Sequence, residues 1–436
     1  MQNISKTAAL FILLFTCRSF PQSLAESYEI GTWYNFVPSA ISYTFDDNTS
    51  KQLTVAVPIF DEYGYKVTLF TVTGWGPDWS KLKKASANGH EAASHTVSHP
   101  SLDGLTLAEQ NLQMKNSQDI INGQVGTGKC ITIAYPNCRK ANDSLVSLYY
   151  IAARGCQGYV ESKTPSDFNN ISSIICGTSG SVNTASAFNT TANNTYRSGG
   201  WCVYLIHGID DDGGYSPLAS DILRSSLEFI KKNSSKYWVA PFGTVAKYIR
   251  ERNSTSISEL QSGDNLIVFI TDTLDNKLYN TPVTVRRTLP EGWTSTTAIQ
   301  NGDTLNSEII TADDGTKYIM FSTVPDSGEI VLYKNGVITA VSENNKPIPD
   351  DIVLEQNYPN PFNPSTVISF TIPEKQYVQI KIFDNTGREV DNILSGIMLP
   401  GRHEVKWDCS GCSSGVYYYQ MLTVNKSYTR KLILLK

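Results

Sequence analysis

Histidine is scarce in this chain, five residues in 436, so any grouping of them is informative. Charge is thin as well: 18% of residues are Asp, Glu, Lys or Arg, and the net charge is −5. No basic cluster interleaved with aromatics occurs anywhere. An acidic balance has the wrong sign for a phosphate backbone, which excludes a nucleic-acid partner. Long apolar runs are missing beyond the first residues. Nothing there approaches the ~20 apolar residues of a membrane span, so no transmembrane helix is expected. What is present is an ordinary globular composition, 40% hydrophobic and rich in tyrosine. At 48.1 kDa the chain is too long for one compact core, and two to four domains are expected.

The start of the chain reads as an export signal. Lys6 precedes the apolar run Ala8–Phe15, too short to cross a bilayer but suited to a signal-peptide core. Small residues at Ser23 and Ala25 place cleavage after Ala25, making residues 1–25 a signal peptide. Cys17 offers a rival reading as a lipid attachment site, which Thr16 and Arg18 fit poorly. The other seven cysteines are Cys130, Cys138, Cys156, Cys176, Cys202, Cys409 and Cys412. Five of them lie in the first half, so at least one there is free or paired elsewhere. Sequence leaves the pairing open. Cys409 and Cys412 sit in a Ser/Gly-rich loop with no second pair nearby, which suits a local clip or idle thiols better than a zinc knuckle.

Residues 26–253 alternate short apolar strands with amphipathic helices. Strands are expected over Ala40–Phe45, Lys66–Val72, Ile131–Tyr135 and Cys202–Ile206, and helices over Leu107–Asn122, Ser144–Arg154 and Leu218–Lys232. This order predicts a parallel sheet or barrel, with its chemistry where strands end. Residues 254–343 turn polar and β-prone, and read as a β-sandwich. Pro290-Glu291-Gly292-Trp293 there is a turn whose tryptophan either reaches substrate or packs onto the barrel. Residues 344–349 are a linker by composition, and 350–436 form a third segment of β character.

Three short blocks carry the chemistry: Thr44-Phe45-Asp46-Asp47, Ser94-His95-Thr96-Val97-Ser98-His99 and Leu205-Ile206-His207. The i, i+4 histidines are expected on one side of a helical turn, where both imidazoles reach one divalent ion. An isolated pair of this kind is ordinarily a surface coincidence. An acidic pair at one strand end and a lone histidine at another reverse that reading. One carboxylate and two imidazoles leave positions open for water and substrate on a zinc-like ion. His90 is expected to be packed structurally, and His403 to lie on the surface. Asp210-Asp211-Asp212-Gly213-Gly214 reads as a solvated rim loop rather than a calcium site.

These blocks make residues 35–250 resemble the polysaccharide deacetylases of the NodB-homology type, carbohydrate esterase family four. The resemblance implies a distorted (β/α) barrel that uses one divalent ion, Zn2+ or another such as Co2+, to remove acetyl groups from polymeric or oligomeric sugars. It implies that Asp46 is the general base, that Asp47, His95 and His99 bind the metal, and that His207 protonates the leaving group. A backbone N–H near Tyr135, Pro136 and Asn137 would steady the oxyanion. The family's third motif begins with an arginine that holds the base. Here Ala134 stands in its place, and Arg139 is the nearest substitute in sequence. The motif that supplies a groove tryptophan has no clear counterpart, with Trp75 and Trp79 as stand-ins. The implied substrate is an acetylated glycan, N-acetyl of chitin or peptidoglycan type first. An O-acetyl xylan esterase and a silent carbohydrate-binding barrel are the alternatives.

The last segment has its own signature. Leu354-Glu355-Gln356-Asn357-Tyr358-Pro359-Asn360-Pro361-Phe362-Asn363-Pro364 opens it and a basic stretch, Lys431–Lys436, closes it. It resembles the C-terminal sorting domain of the type IX secretion system, which would make the secretion machinery a partner and the cell surface or medium the destination. The whole therefore reads as multidomain: an α/β distorted barrel followed by two all-β, immunoglobulin-like sandwiches.

Overall fold

The computed structural model describes residues 27–334, 351–374, 376–398, 400–423 and 426–436. The expected signal peptide and the 344–349 linker lie outside them. The first unit is built on strands β1 (Tyr28–Ile30), β2 (Ser39–Asp46), β3 (Thr68–Thr71), β4 (Glu91–Ser94), β5 (Thr132–Ala134), β6 (Ala152–Arg154), β7 (Ile174–Ile175), β8 (Trp201–Ile206) and β9 (Tyr237–Val239). Its helices are α1 (Val57–Tyr63), α2 (Trp79–Ala87), α3 (Leu107–Val125), α4 (Asp143–Tyr149), α5 (Ala185–Ser198), α6 (Ser220–Lys232) and α7 (Phe242–Ser254). Strands β2 to β8 pair in the order β6-β5-β4-β3-β2-β8-β7, with β9 also on β2, and every pairing is parallel. The parallel sheet curls like half a barrel.

The sheet is buried on both faces, and alternation along each strand divides its side chains. Ile41, Tyr43 and Phe45 face the helices, where they meet Phe60, Met114, Leu223 and Leu227. Ala40, Ala93, Ala134, Ala152 and Val203 face the inside of the curl, with Trp33, Phe70, Trp201 and Phe242. Asp46 continues the inner register of Ala40, Ser42 and Thr44, and His95 that of Ala93. The helices hold their places by local chemistry. Thr106 and Glu109 form a capping box that starts α3. Leu223, Ser226, Leu227 and Ile230 give α6 its buried stripe.

One predicted helix ends early. Instead of running from Ser144 to Arg154, it stops at Tyr149, and Ala152–Arg154 becomes strand β6. A three-residue strand buried on both faces has no alternation to announce it.

Two antiparallel sheets follow. One joins β1, Val283–Thr288, Lys317–Thr323 and Ser307–Thr311; the other joins Ser256–Ser262, Asn265–Thr271, Ile330–Lys334, Thr296–Gln300 and Asp303–Leu305. Val268, Val285, Phe321, Leu332 and Trp293 share one apolar cluster with Tyr248 of α7. Trp293 is thus core, not a groove aromatic.

The last segment also forms two antiparallel sheets, Val353–Leu354 with Ser365–Ile372 and Gly401–Asp408, and Glu389–Met398 with Gln376–Asp384, Gly415–Thr423 and Ser427–Leu434. Tyr417 and Tyr419 are buried while Tyr418 faces out, as alternation expects. Phe362 of the proline-rich entry is buried and Tyr358 is exposed. Cys409 and Cys412 form a disulfide clip.

Candidate active site

Asp46 is the last residue of β2, and His95 and His207 are the first residues beyond β4 and β8. The three blocks therefore meet at one end of the sheet, where the strands' inner faces open. Asp47, His95 and His99 offer ligand atoms that all lie within 4.8 Å of one another. Asp47 Oδ1 is 3.6 Å from His95 Nε2 and 3.4 Å from His99 Nε2. His207 Nε2 stands across from them, 4.0 Å from Asp46 Oδ2 and 3.9 Å from Asp47 Oδ2.

The histidine pair does not lie on a helix. Thr96 and His99 both adopt left-handed backbone (φ 67° and 62°), and a tight loop brings the imidazoles together. Such a conformation is rare for a β-branched residue. Asp47, Asn48, Asn137 and Cys138 share it, so strained backbone gathers around the cavity.

His95 Nδ1 lies 2.9 Å from the Ala134 carbonyl. Assigning the proton to Nδ1 makes it the donor and leaves the Nε2 lone pair facing Asp47. Burial pulls the His95 pKa down to about 4, and burial also lowers His99. Neutral imidazoles are what a metal requires. Burial and the Asp46 charge push the Asp47 carboxyl up to about 7. Its Oδ1 is buried and has no hydrogen-bond partner among the described residues. A crowded carboxylate and two neutral imidazoles aimed at one point fit a divalent cation.

Burial alone would raise the Asp46 carboxyl, but the Arg154 guanidinium, with His95 and His207, holds it below the usual carboxylate range. Arg154 was missed by sequence reasoning, which placed it at the end of a helix. It is 1% exposed, and its Nη2 donates to Asp46 Oδ2. Ala134 and Arg154 are paired in register on β5 and β6. Arg154 thus stands one strand further along the sheet from position 134. Ala93 and Ala134 are small inner residues on the strands between, and the guanidinium lies 5.2 Å from the Phe70 ring. Arg139 does not reach Asp46. Its side chain is 63% exposed and stands 3.7 Å from Asp103.

The cavity is about 450 Å³ and is lined by Asp46, Asp47, His95, His99, Arg154 and His207, among others. Tyr135, Asn137, Cys138 and Tyr215 also line it, while Pro136 is buried and does not. The Tyr135 hydroxyl donates away from the cavity, to Asn169 O at 2.7 Å. The N–H groups of Tyr135, Cys138 and Arg139 are taken by Arg154 O, Tyr135 O and Pro136 O. Pro136 has none to give, which leaves the Asn137 N–H. A Cys138–Cys156 disulfide ties this turn to the loop after β6, and Cys130, Cys176 and Cys202 are buried thiols. Trp75 packs against His99 with ring centroids 5.0 Å apart, and Tyr215 stands edge-on to His207 at 4.9 Å. Trp79 instead packs towards the helix-side core. His90 is buried and hydrogen-bonded to Val67 N and Asp61, and His403 stacks on Phe370.

Residues 35–152 match the family described as polysaccharide deacetylase, and residues 356–435 match the secretion system C-terminal sorting domain. Among curated proteins, the chain is 26% identical over 338 residues to a gellan lyase of Bacillus sp, covering 72% of this chain and 13% of that protein. It is 29% identical over 107 residues to the protein named "Putative polysaccharide deacetylase YxkH" of Bacillus subtilis (strain 168), covering 23% and 38%. The chain therefore spans well under two thirds of either relative. Among solved structures, a family 4 carbohydrate esterase from Streptomyces lividans in complex with acetate is 18% identical, with coverage of 46% and 91% and a TM-score of 0.34.

Proposed function

We propose that this chain, which carries a polysaccharide deacetylase domain and a C-terminal sorting domain, is an exported metal-dependent hydrolase that removes acetyl groups, N-acetyl first, from a chitin-type or peptidoglycan-type glycan. The observation that supports it is the convergence of Asp47, His95 and His99, with Asp46 and His207 beside them. Asp47, His95 and His99 would hold the ion, Zn2+ or a related divalent metal such as Co2+. Bound there, it supplies Lewis acidity to the acetyl carbonyl. Asp46, kept ionised by Arg154, takes a proton from the attacking water through Oδ1, which has no hydrogen-bond partner among the described residues. His207 gives a proton to the departing nitrogen. The Asn137 N–H donates to the carbonyl oxygen as charge develops on it. Arg154 takes the role that sequence offered to Arg139.

The same reading divides the chain into a leader over 1–25, a deacetylase unit over 26–253, an immunoglobulin-like sandwich over 254–343, a linker over 344–349 and a sorting sandwich over 350–436. The sorting domain directs the protein to the cell surface or medium through the type IX machinery.

The test is acetate release from chitooligosaccharides and from acetylated xylan, with chelator and after metal is restored. Release from the first, lost on chelation and regained with Zn2+, is expected. His95→Ala should fail to load metal, and Asp46→Asn should load it without turnover. Full activity in both variants, or release that ignores the chelator, would overturn the assignment. Release from xylan alone would move the substrate to O-acetyl esters.

A further inference from the structure

We infer that Gln52 is a positioning residue that sets the separation of the base and the acid through their backbone carbonyls, an inference that rests on the deacetylase reading. The pairing of β2 with β8 ends at Phe45 and Ile206. Asp46 and His207 therefore stand one residue past the last rung, where that ladder no longer fixes their spacing. One buried amide crosses the gap. Gln52 Nε2 donates to His207 O at 2.9 Å and also to Asp46 O. Both hydrogens of that amide are thereby used. Gln52 is 2% exposed, so neither bond competes with bulk water.

The segment that carries Gln52 is itself fixed. Gln52 opens a single π turn, Gln52–Ala56, a rare form that occurs mostly as a one-turn insertion in helices and often at functional sites. Its N–H donates to Thr49 O at 3.1 Å, and Thr49 Oγ1 donates to the same His207 carbonyl at 3.2 Å. Asn48 grips Val72, just past the end of β3, through both its N–H and its C=O, at 2.9 and 2.8 Å.

His207 depends on this anchoring more than His95 does. His95 is oriented by its ring nitrogen at the Ala134 carbonyl, whereas among the described residues none hydrogen-bonds His207 Nδ1. The edge-on Tyr215 and the backbone at position 207 hold the His207 ring, with the Asp46 and Asp47 carboxylates 4.0 and 3.9 Å from its Nε2. A buried glutamine that merely satisfied the fold could spend its donors on any carbonyl. This one spends them on the two residues between which a proton must be passed by way of substrate.

The experiment uses the full chain loaded with Zn2+. Gln52→Met keeps the side-chain length and removes both donors. Its kcat on the N-acetylated oligosaccharide should fall tenfold or more, with KM and bound zinc within twofold of wild type. In a His207→Ala background the same change should cost less than twofold, because there is no acid left to position. A purely structural role would lower kcat alike in both backgrounds, and that result, or an unchanged kcat in Gln52→Met, overturns the inference. Thr49→Val, which loses only one bond to His207 O, is the milder variant should Gln52→Met not fold. It should cost two- to fivefold, again only when His207 is present. If wild type releases no acetate at all, the deacetylase reading fails on its own. The Gln52 inference is then read from the His207 ring resonance of the metal-free chain, which should shift in both variants; an unmoved resonance sinks it.

Discussion

Arg154 and Asp46 are both buried, so removing either partner alone strands a charge inside the sheet. Arg154→Met should therefore cost about 3–5 kcal/mol in denaturant unfolding of the metal-free protein. Adding Asp46→Asn should return much of that stability while activity stays absent. If the double variant is no more stable than Arg154→Met, the guanidinium is held by packing over Phe70 rather than by the carboxylate. The residue types at this site were legible because their chemistry is uncommon: two aspartates closing an apolar run, and three of the five histidines inside the motifs. Arg154 was not legible, since which strand a long side chain reaches from depends on the curl of the sheet. Only the inner alanines at 93 and 134 hint at room for it, and an alanine pattern means nothing until its register is known.

At the scale of elements, the loops after β5 and β6 carry the Asn137 turn and follow Arg154, and the Cys138–Cys156 bridge ties them together. The sequence separation of 18 residues corresponds to about 3 kcal/mol of chain entropy in the loop-closure account. Cys138→Ser with Cys156→Ser should lower stability by about that amount and reduce kcat, while loss of the Cys409/Cys412 pair, only 3 residues apart, should cost about half as much and leave kcat unchanged. Unfolding and acetate release of both double variants, with and without reductant, decide the matter; equal effects from the two pairs would show that the bridge does not support the site. Long elements such as α3 and β2 were legible from periodicity and alternation. The short ones were not: β6 hid behind a helical pattern. The histidine loop hid behind a helical spacing, because nothing local in Thr96 favours left-handed backbone.

At the scale of the whole molecule, the first unit and the following sheets share more than a junction. Strand β1, from the start of the chain, pairs with Val283–Thr288, and the Tyr28 hydroxyl donates to Glu259, which also pairs with Arg287. Sequence order could not announce a strand contributed across more than 250 residues. Glu251 of α7 stands at the same joint. It is buried, accepts from Thr281 N at 2.8 Å through Oε1, and has no partner for Oε2 among the described residues. Burial pushes its carboxyl up to about 7, with Asp272 adding to the shift and Lys247 opposing it. An acid whose folded pKa is raised binds its proton more tightly when folded. Its effect on stability is therefore nil below the unfolded value near ~4.3 and increasingly unfavourable as pH rises towards 7; above that it levels off. Glu251→Gln keeps the acceptor for Thr281 and cannot ionise. The variant should match wild type near pH 4.5 and exceed it by on the order of 2–3 kcal/mol at pH 8. Thermal midpoints across that range, with hydrogen exchange at the Thr281 amide, measure both the size and the place of the effect. A midpoint difference that does not grow with pH would mean that Glu251 is ionised at low cost, and that the joint is wetter than its burial implies.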